Sequence, residues 1–198
     1  MSNTFFTSDT HFHHANIIRY SNRPFRDSVE MNNKLIENWN AVVQPDDLIY
    51  HLGDFSFGRD DYLFESVINR LNGYIVFIEG NHDKLARRNK HRFYNYHYGY
   101  CETTVNGQFI VMSHYPMVVW NKKHHGSWML CGHTHYNLPV SRTDSKELGK
   151  LLDVGVDGND YKPYSFDDLV KIMNNKPLLP SNSLYSDHHG RNSSDAAE

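Results

Sequence analysis

Apolar residues come in short blocks separated by turn-forming residues along the first half of the chain. Thr4-Phe5-Phe6-Thr7-Ser8 reads as a buried strand ending at Asp9. Over residues 28–43, Met31, Leu35, Ile36 and Trp39 recur at helical spacing, which predicts a helix with Ser28 as its N-cap. Pro45-Asp46-Asp47 is a turn, and Leu48-Ile49-Tyr50-His51-Leu52 is a second strand stopping at Gly53-Asp54. Residues 61–71 predict a second helix with Leu63, Phe64, Val67, Ile68 and Leu71 on one face, closed by Asn72-Gly73. Tyr74-Ile75-Val76-Phe77-Ile78 is a third strand, ending at Gly80-Asn81-His82-Asp83. Strand–helix–strand–helix–strand implies parallel strands joined by right-handed crossovers.

The helical signal weakens after that. Residues 100–105 and 108–112 flank Asn106-Gly107, a strong hairpin signal. Trp128-Met129-Leu130-Cys131 and Leu151-Leu152-Asp153-Val154 read as further strands. Ser165 and Asp168 have capping-box spacing at the head of a last helix. From Pro177 the chain is rich in Ser, Asn and Asp, so one domain over residues 1–176 and a flexible tail over 177–198 are expected.

The same kind of residue follows strand after strand. Asp9 and His11 follow the first, Asp54 the second, Asn81 and His82 the third. His114 follows the hairpin, and His133 and His135 follow the next strand. In α/β sheets, loops at the carboxyl ends of strands converge on ligands. The glycines at 53, 80 and 132 fit sharp exits, because Gly tolerates positive φ and close backbone approach. Asp9-x-His11 and His133-x-His135, if extended, each place two side chains on one face.

Composition sharpens this picture. Fourteen histidines in 198 residues exceed what a generic core requires, and histidine is the commonest metal ligand. Asp9, Asp54 and Asn81 with His11, His114, His133 and His135 form a mixed oxygen and nitrogen donor set without sulfur, suited to manganese, iron, zinc or nickel. Seven ligands exceed the need of one ion. Two ions sharing one carboxylate would use them all and leave room for water and substrate. The net charge of −3 gives no global support for nucleic-acid binding. No apolar run spans a membrane and no secretory signal opens the chain, so a cytoplasmic protein without membrane association is expected. Cys101 and Cys131 make no disulfide framework.

In order and spacing, Asp9-Thr10-His11, Gly53-Asp54, Gly80-Asn81-His82-Asp83, His114 and Gly132-His133-Thr134-His135 resemble the calcineurin-like metallophosphoesterase superfamily. Arg23-Pro24-Phe25 and Asn159-Asp160-Tyr161-Lys162-Pro163 resemble a compact bacterial and phage subgroup. The resemblance implies a four-layer αββα sandwich of two mixed β-sheets flanked by helices. It also implies a binuclear centre: Asp9, His11 and His135 on one metal, Asn81, His114 and His133 on the other, Asp54 bridging. Two divalent ions are expected, manganese first, with iron, zinc, nickel or magnesium as alternatives. A hydroxide between them would attack phosphorus in line. His82 would protonate the leaving group or bind phosphate, with Asp83 orienting its imidazole, and Asn81 and His82 would contact the substrate. Arg23 flanks the first ligand loop and reads either as a bidentate binder of a substrate phosphate or as a solvated surface arginine.

The chain also departs from the family pattern. Gly53-Asp54 lacks the further Asp and Arg that many members carry, and His13 stands where the subgroup has Gly. His13 reads as a solvated loop residue rather than a third metal site, and no role follows for His14. His51 reads as a hydrogen-bonded strand histidine, and Lys122-Lys123-His124-His125 as either a basic loop over the substrate or a solvated turn.

The function expected is hydrolysis of a phosphodiester or phosphomonoester of a small phosphorylated substrate, a nucleotide. A nuclease is the first alternative and a non-catalytic scaffold binding protein partners the second. The oligomeric state does not follow from the sequence.

Overall fold

The computed structural model describes residues 2–138 and 148–179. All but the first three residues of the expected tail lie outside them. Strands β1 (Thr4–Thr7), β2 (Leu48–His51), β3 (Tyr74–Ile78), β4 (Asn95–His97) and β9 (Tyr164–Ser165) form one sheet in the order β4-β3-β2-β1-β9. Strands β5 (Tyr100–Val105), β6 (Gln108–Ser113), β7 (Trp128–Cys131) and β8 (Leu151–Asp153) form the other, in chain order. Both sheets are mixed. β1 to β4 run parallel and β9 antiparallel to β1, while β5 is antiparallel to β6 and β6 to β8 run parallel.

Strand alternation builds the layers. Phe5, Ile49, Ile75 and Phe77 face helices α2 (Ser28–Val42) and α3 (Asp61–Ile68), meeting Leu35, Trp39, Phe64 and Val67. Their neighbours Phe6, Tyr50, Val76 and Ile78 point the other way, into a core shared with Ile110, Met112, Leu130 and Leu152 of the second sheet. Helix α5 (Phe166–Asn174) adds Phe166, Leu169 and Met173 to that core. On the far face of the second sheet, Trp120 and Met117 cover Val111, Met129 and Leu151. The architecture is thus two mixed sheets flanked by helices, as the resemblance implied.

Local chemistry explains most boundaries. α5 carries the expected capping box between Ser165 and Asp168. At Asn106-Gly107 both residues have positive φ, 48° and 84°, as a type I′ hairpin turn requires. The cap of α2 is Asp27 rather than Ser28, because the Asp27 carboxylate accepts from both Val29 N–H and Glu30 N–H. α3 stops at Ile68, three residues short of the expected end, and Asn69 caps it. Helices α1 (Ala15–Tyr20) and α4 (Lys84–Arg88), and strands β4 and β9, are too short for periodicity to reveal.

His51 is buried beneath the site, bonded through Nε2 to Thr10 Oγ1 at 3.0 Å and flanked by Trp39 and Phe77. Burial holds its pKa down to about 3. The unfolded chain therefore takes up a proton near pH 6.5 that the fold refuses until about pH 3. His51 thus makes stability fall as pH drops through that window. His51→Gln is expected to flatten the slope, read as the difference in urea midpoint between pH 7 and pH 4.5. An unchanged slope would contradict a neutral buried imidazole.

Candidate metal centre

The carboxyl ends of β1, β2, β3, β6 and β7 carry the site. Asp9, His11, Asp54, His133 and His135 all sit in the left-handed region, with φ of 55°, 49°, 56°, 70° and 49°. The expected extended alternation of Asp9-x-His11 and His133-x-His135 is therefore wrong: a left-handed backbone turns these side chains inward. Such conformations cost roughly 1–3 kcal/mol each and cluster at functional sites. The glycines act by space more than by φ. A Cβ on Gly80 would meet Asp54 Oδ1 at 2.5 Å, and one on Gly132 would meet Asp9 Oδ2 at 2.5 Å. Gly53 alone of the three has positive φ, 93°, and its Cβ would lie 2.6 Å from Gly80 N.

Two groups of donors converge. Asp9, His11 and His135 offer ligand atoms within 4.8 Å of one another, and so do Asp54, His114 and His133. Asp54 lies between the groups, its Oδ2 3.5 Å from His11 Nε2 and 3.5 Å from His114 Nε2. Asn81 Oδ1 completes the second group, 3.0 Å from His114 Nε2 and 3.1 Å from His133 Nδ1.

Supporting contacts aim these atoms. Ser8 Oγ and His133 N–H both donate to Asp9 Oδ2, at 2.6 and 2.9 Å, and leave Oδ1 facing the site. His114 Nδ1 donates to Leu52 O at 2.8 Å, which turns its Nε2 toward the site. His135 Nδ1 lies 2.8 Å from Asp157 Oδ2, which frees its Nε2 in the same way.

The donor set fits a cation. Asp9 Oδ1 and His11 Nε2 are buried without a hydrogen-bond partner among the described residues. Buried polar atoms left so are costly and rare. The electrostatics agree. Burial, reinforced by Asp153, pushes the Asp9 carboxyl up to about 7. Burial disfavours a charged His114, yet Asp54 and Asp9 outweigh it and lift the imidazole to about 9. At Asp54 burial is likewise outweighed, by His114 and His11, so its carboxyl stays well below the usual range. Burial holds His11 well below 6.5, the neutral form a metal ligand needs. Burial is the main cost of charging Asp9, and a cation beside its Oδ1 would offset that cost.

His82 lies at the mouth, exposed. Its N–H donates to Asp54 Oδ1 at 2.9 Å and its ring lies 5.8 Å from that of His11. His14 stacks on Phe57 at 4.1 Å beside it. His13 turns away, half-buried, held by Asn32 Oδ1 at its N–H and Asn32 Nδ2 at its ring, so it is not a solvated loop residue.

Two expected roles are overturned. Arg23 does not face a substrate: it is 4% exposed and its donors are spent internally. It binds Asp157 bidentately, at 2.8 Å from Nε and 2.8 Å from a terminal nitrogen, and donates to Asp9 O and Thr10 O at 2.6 and 3.0 Å. Arg23 thus clamps the first ligand loop to the residue that orients His135. Asp83 does not orient the His82 imidazole either. Its carboxylate accepts from the backbone N–H groups of Asp54, Phe55 and Gly80 at 2.6, 2.9 and 2.7 Å, tying two ligand loops together. Asp157 itself went unread, although Gly155-Val156-Asp157-Gly158 after β8 repeats the strand-end pattern. Lys123 of the basic run is buried and donates to Val118 O at 2.6 Å, while Lys122 and His125 are exposed, so Lys123 itself packs into a turn rather than reaching a substrate.

Arg23→Met takes the guanidinium from a largely buried Asp157 and leaves it only the His135 imidazole, and breaking such a pair costs about 3–5 kcal/mol. For a chain of this size that is roughly 10 °C in melting temperature. Thermal unfolding followed by circular dichroism checks it, and a shift of only a degree or two would show that the clamp is dispensable.

A family model described as the calcineurin-like phosphoesterase superfamily domain matches residues 3–152. An uncharacterized protein of Methanocaldococcus jannaschii is 38% identical over 174 residues, covering 87% of this chain and 92% of its own. The gene 66 protein of Mycobacterium phage L5 is 27% identical over 186 residues, covering 79% of this chain and 87% of its own. A solved structure of a protein of unknown function from Aquifex aeolicus superposes with a TM-score of 0.71 at 26% identity, covering 87% of this chain and 100% of that one.

Proposed function

Because the chain belongs to the calcineurin-like phosphoesterase superfamily, we propose that it is a binuclear metal-dependent hydrolase cleaving a phosphate ester of a nucleotide. The observation that carries this reading is the shared Asp54 oxygen, equidistant from one imidazole of each donor group. Asp9, His11 and His135 would hold one divalent cation, Asn81, His114 and His133 a second, and Asp54 both. When bound, such a pair supplies Lewis acidity toward the phosphate and acidifies water for in-line attack at phosphorus. Oxygen and imidazole donors without sulfur suit manganese, and also iron, zinc or nickel.

The chain's own residues do the rest. With Oδ1 turned to His114 and His133, Asn81 leaves its amide NH2 free to donate to a phosphate oxygen. His82 is held at the mouth by its N–H bond to Asp54 and presents its imidazole to the leaving oxygen. Both cysteines are free and buried, in keeping with a reducing, cytoplasmic compartment. No helix of the described residues is long and apolar enough to cross a membrane.

The test is hydrolysis of bis(p-nitrophenyl) phosphate and p-nitrophenyl phosphate with manganese, with and without a chelator. Turnover of at least one ester, abolished by chelation, is expected. A chain that binds manganese and hydrolyses neither would instead be a scaffold.

A further inference from the structure

Two clefts open on either side of Asn81, which lies in the wall of both. One, of about 530 Å³, is lined by His82 with Phe57, Arg59, Lys84 and Arg88. The other, of about 240 Å³, runs past Gly80 to Tyr98, Tyr115 and Arg87. A phosphate held at Asn81 and His82 therefore has room for a substituent in each direction. A monoester would leave one cleft empty.

The clefts differ in chemistry. In the larger one Arg88 is engaged by Asp61 at 2.7 Å, but Lys84 and Arg59 have no carboxylate within 4.0 Å among the described residues. Phe57, stacked on His14 through one ring face, is still 44% exposed and lines the same cleft as these two cations. In the smaller one Arg87 is neutralised by Glu79. There Tyr98 and Tyr115, 66% and 51% exposed, present aromatic surface instead. Unpaired cations beside an aromatic face suit a phosphate attached to a base. Tyrosines suit a base or sugar, and the nearby cation, Lys90, is held on the Tyr98 hydroxyl outside the cleft lining.

Resting on the phosphoesterase reading, we propose that the substrate is a linear nucleotide diester whose leaving group carries a second phosphate, seated between Arg59 and Lys84. The side follows from His82, whose imidazole lines that cleft and so faces the departing oxygen. In the step, a water oxygen bonds phosphorus and gives up a proton to solvent, and the P–O bond toward the Arg59–Lys84 cleft breaks. The leaving oxygen takes the His82 proton, and the ring regains a proton from solvent. Products are one phosphomonoester, left on the tyrosine side, and one phosphorylated alcohol.

The test compares kcat/KM for a thymidine dinucleotide carrying a terminal phosphate at either end with that for the unphosphorylated dinucleotide, bis(p-nitrophenyl) phosphate serving as the reference diester. A terminal phosphate on one end is expected to raise kcat/KM about tenfold, the worth of a pair of charge-assisted hydrogen bonds. In the Arg59→Gln, Lys84→Gln double variant that ratio should fall to about one. A trinucleotide favoured as strongly as the phosphorylated dinucleotide would make the second phosphate that of an oligonucleotide chain, and one cleaved no better than the bare dinucleotide would make it a terminal group. Turnover of the reference diester with no preference for the added phosphate overturns this inference alone. So does a double variant that loses all three substrates equally. Absence of turnover on every ester overturns both it and the phosphoesterase reading.

Discussion

Asp54→Ala is expected to empty both cation positions and to lower kcat/KM for every phosphate ester by about a thousandfold or more. Asp54 Oδ2 faces His11 and His114 together, so no neighbour replaces it on either side. Charge stabilisation by a metal pair is worth several kcal/mol, and each 1.36 kcal/mol is tenfold in rate. The same side chain also accepts the His82 N–H through Oδ1. Asp54→Asn separates the two duties, since its amide oxygen can keep that hydrogen bond while the negative charge is gone. If the charge holds the cations, Asp54→Asn should lose them nearly as completely as Asp54→Ala, by elemental analysis after equilibration with manganese. An Asn variant with full metal content and near-normal turnover would show that Asp54 only supports His82.

His82→Ala is expected to keep its metals and lose about a hundredfold to ten-thousandfold in kcat for esters with alkoxide leaving groups. Metal retention follows from the geometry: the contact that ties residue 82 to Asp54 runs through the backbone N–H, which alanine preserves. The loss should shrink for p-nitrophenyl esters, whose leaving oxygen needs no proton. Equal loss across good and poor leaving groups would make His82 a phosphate binder rather than a proton donor. Loss of metal would place it among the ligands.

Much of this was written plainly in the chain. Strands β1, β2, β3 and β7 announce themselves as apolar runs, and each ends at a residue of the site. All seven ligand candidates fall into the cluster or its rim. The directions of side chains were harder to read. Arg23 looked like a phosphate binder because it flanks the first ligand loop, but its partner Asp157 lies 134 residues away, and linear spacing says nothing of that pairing. Asp83 looked like a partner of its neighbour His82, yet a carboxylate one residue on can reach three backbone N–H groups just as well. The left-handed turns at Asp9 and His133 run against local preference for residues with a Cβ. Tertiary contacts enforce them: a clamp at Asp9 O and a carboxylate beneath His133 N–H. Neither α4 nor the cationic wall that begins at Lys84 shows in a helical period, because five residues make too short a helix.

The central claim is that one aspartate joins two cation sites. Its most direct test is the number of manganese ions bound per chain after equilibrium dialysis, in the wild-type protein and in Asp54→Asn. Two ions per wild-type chain and fewer than one in the variant are predicted. Equal occupancy in the two proteins, or no ion held by the wild type, would contradict it.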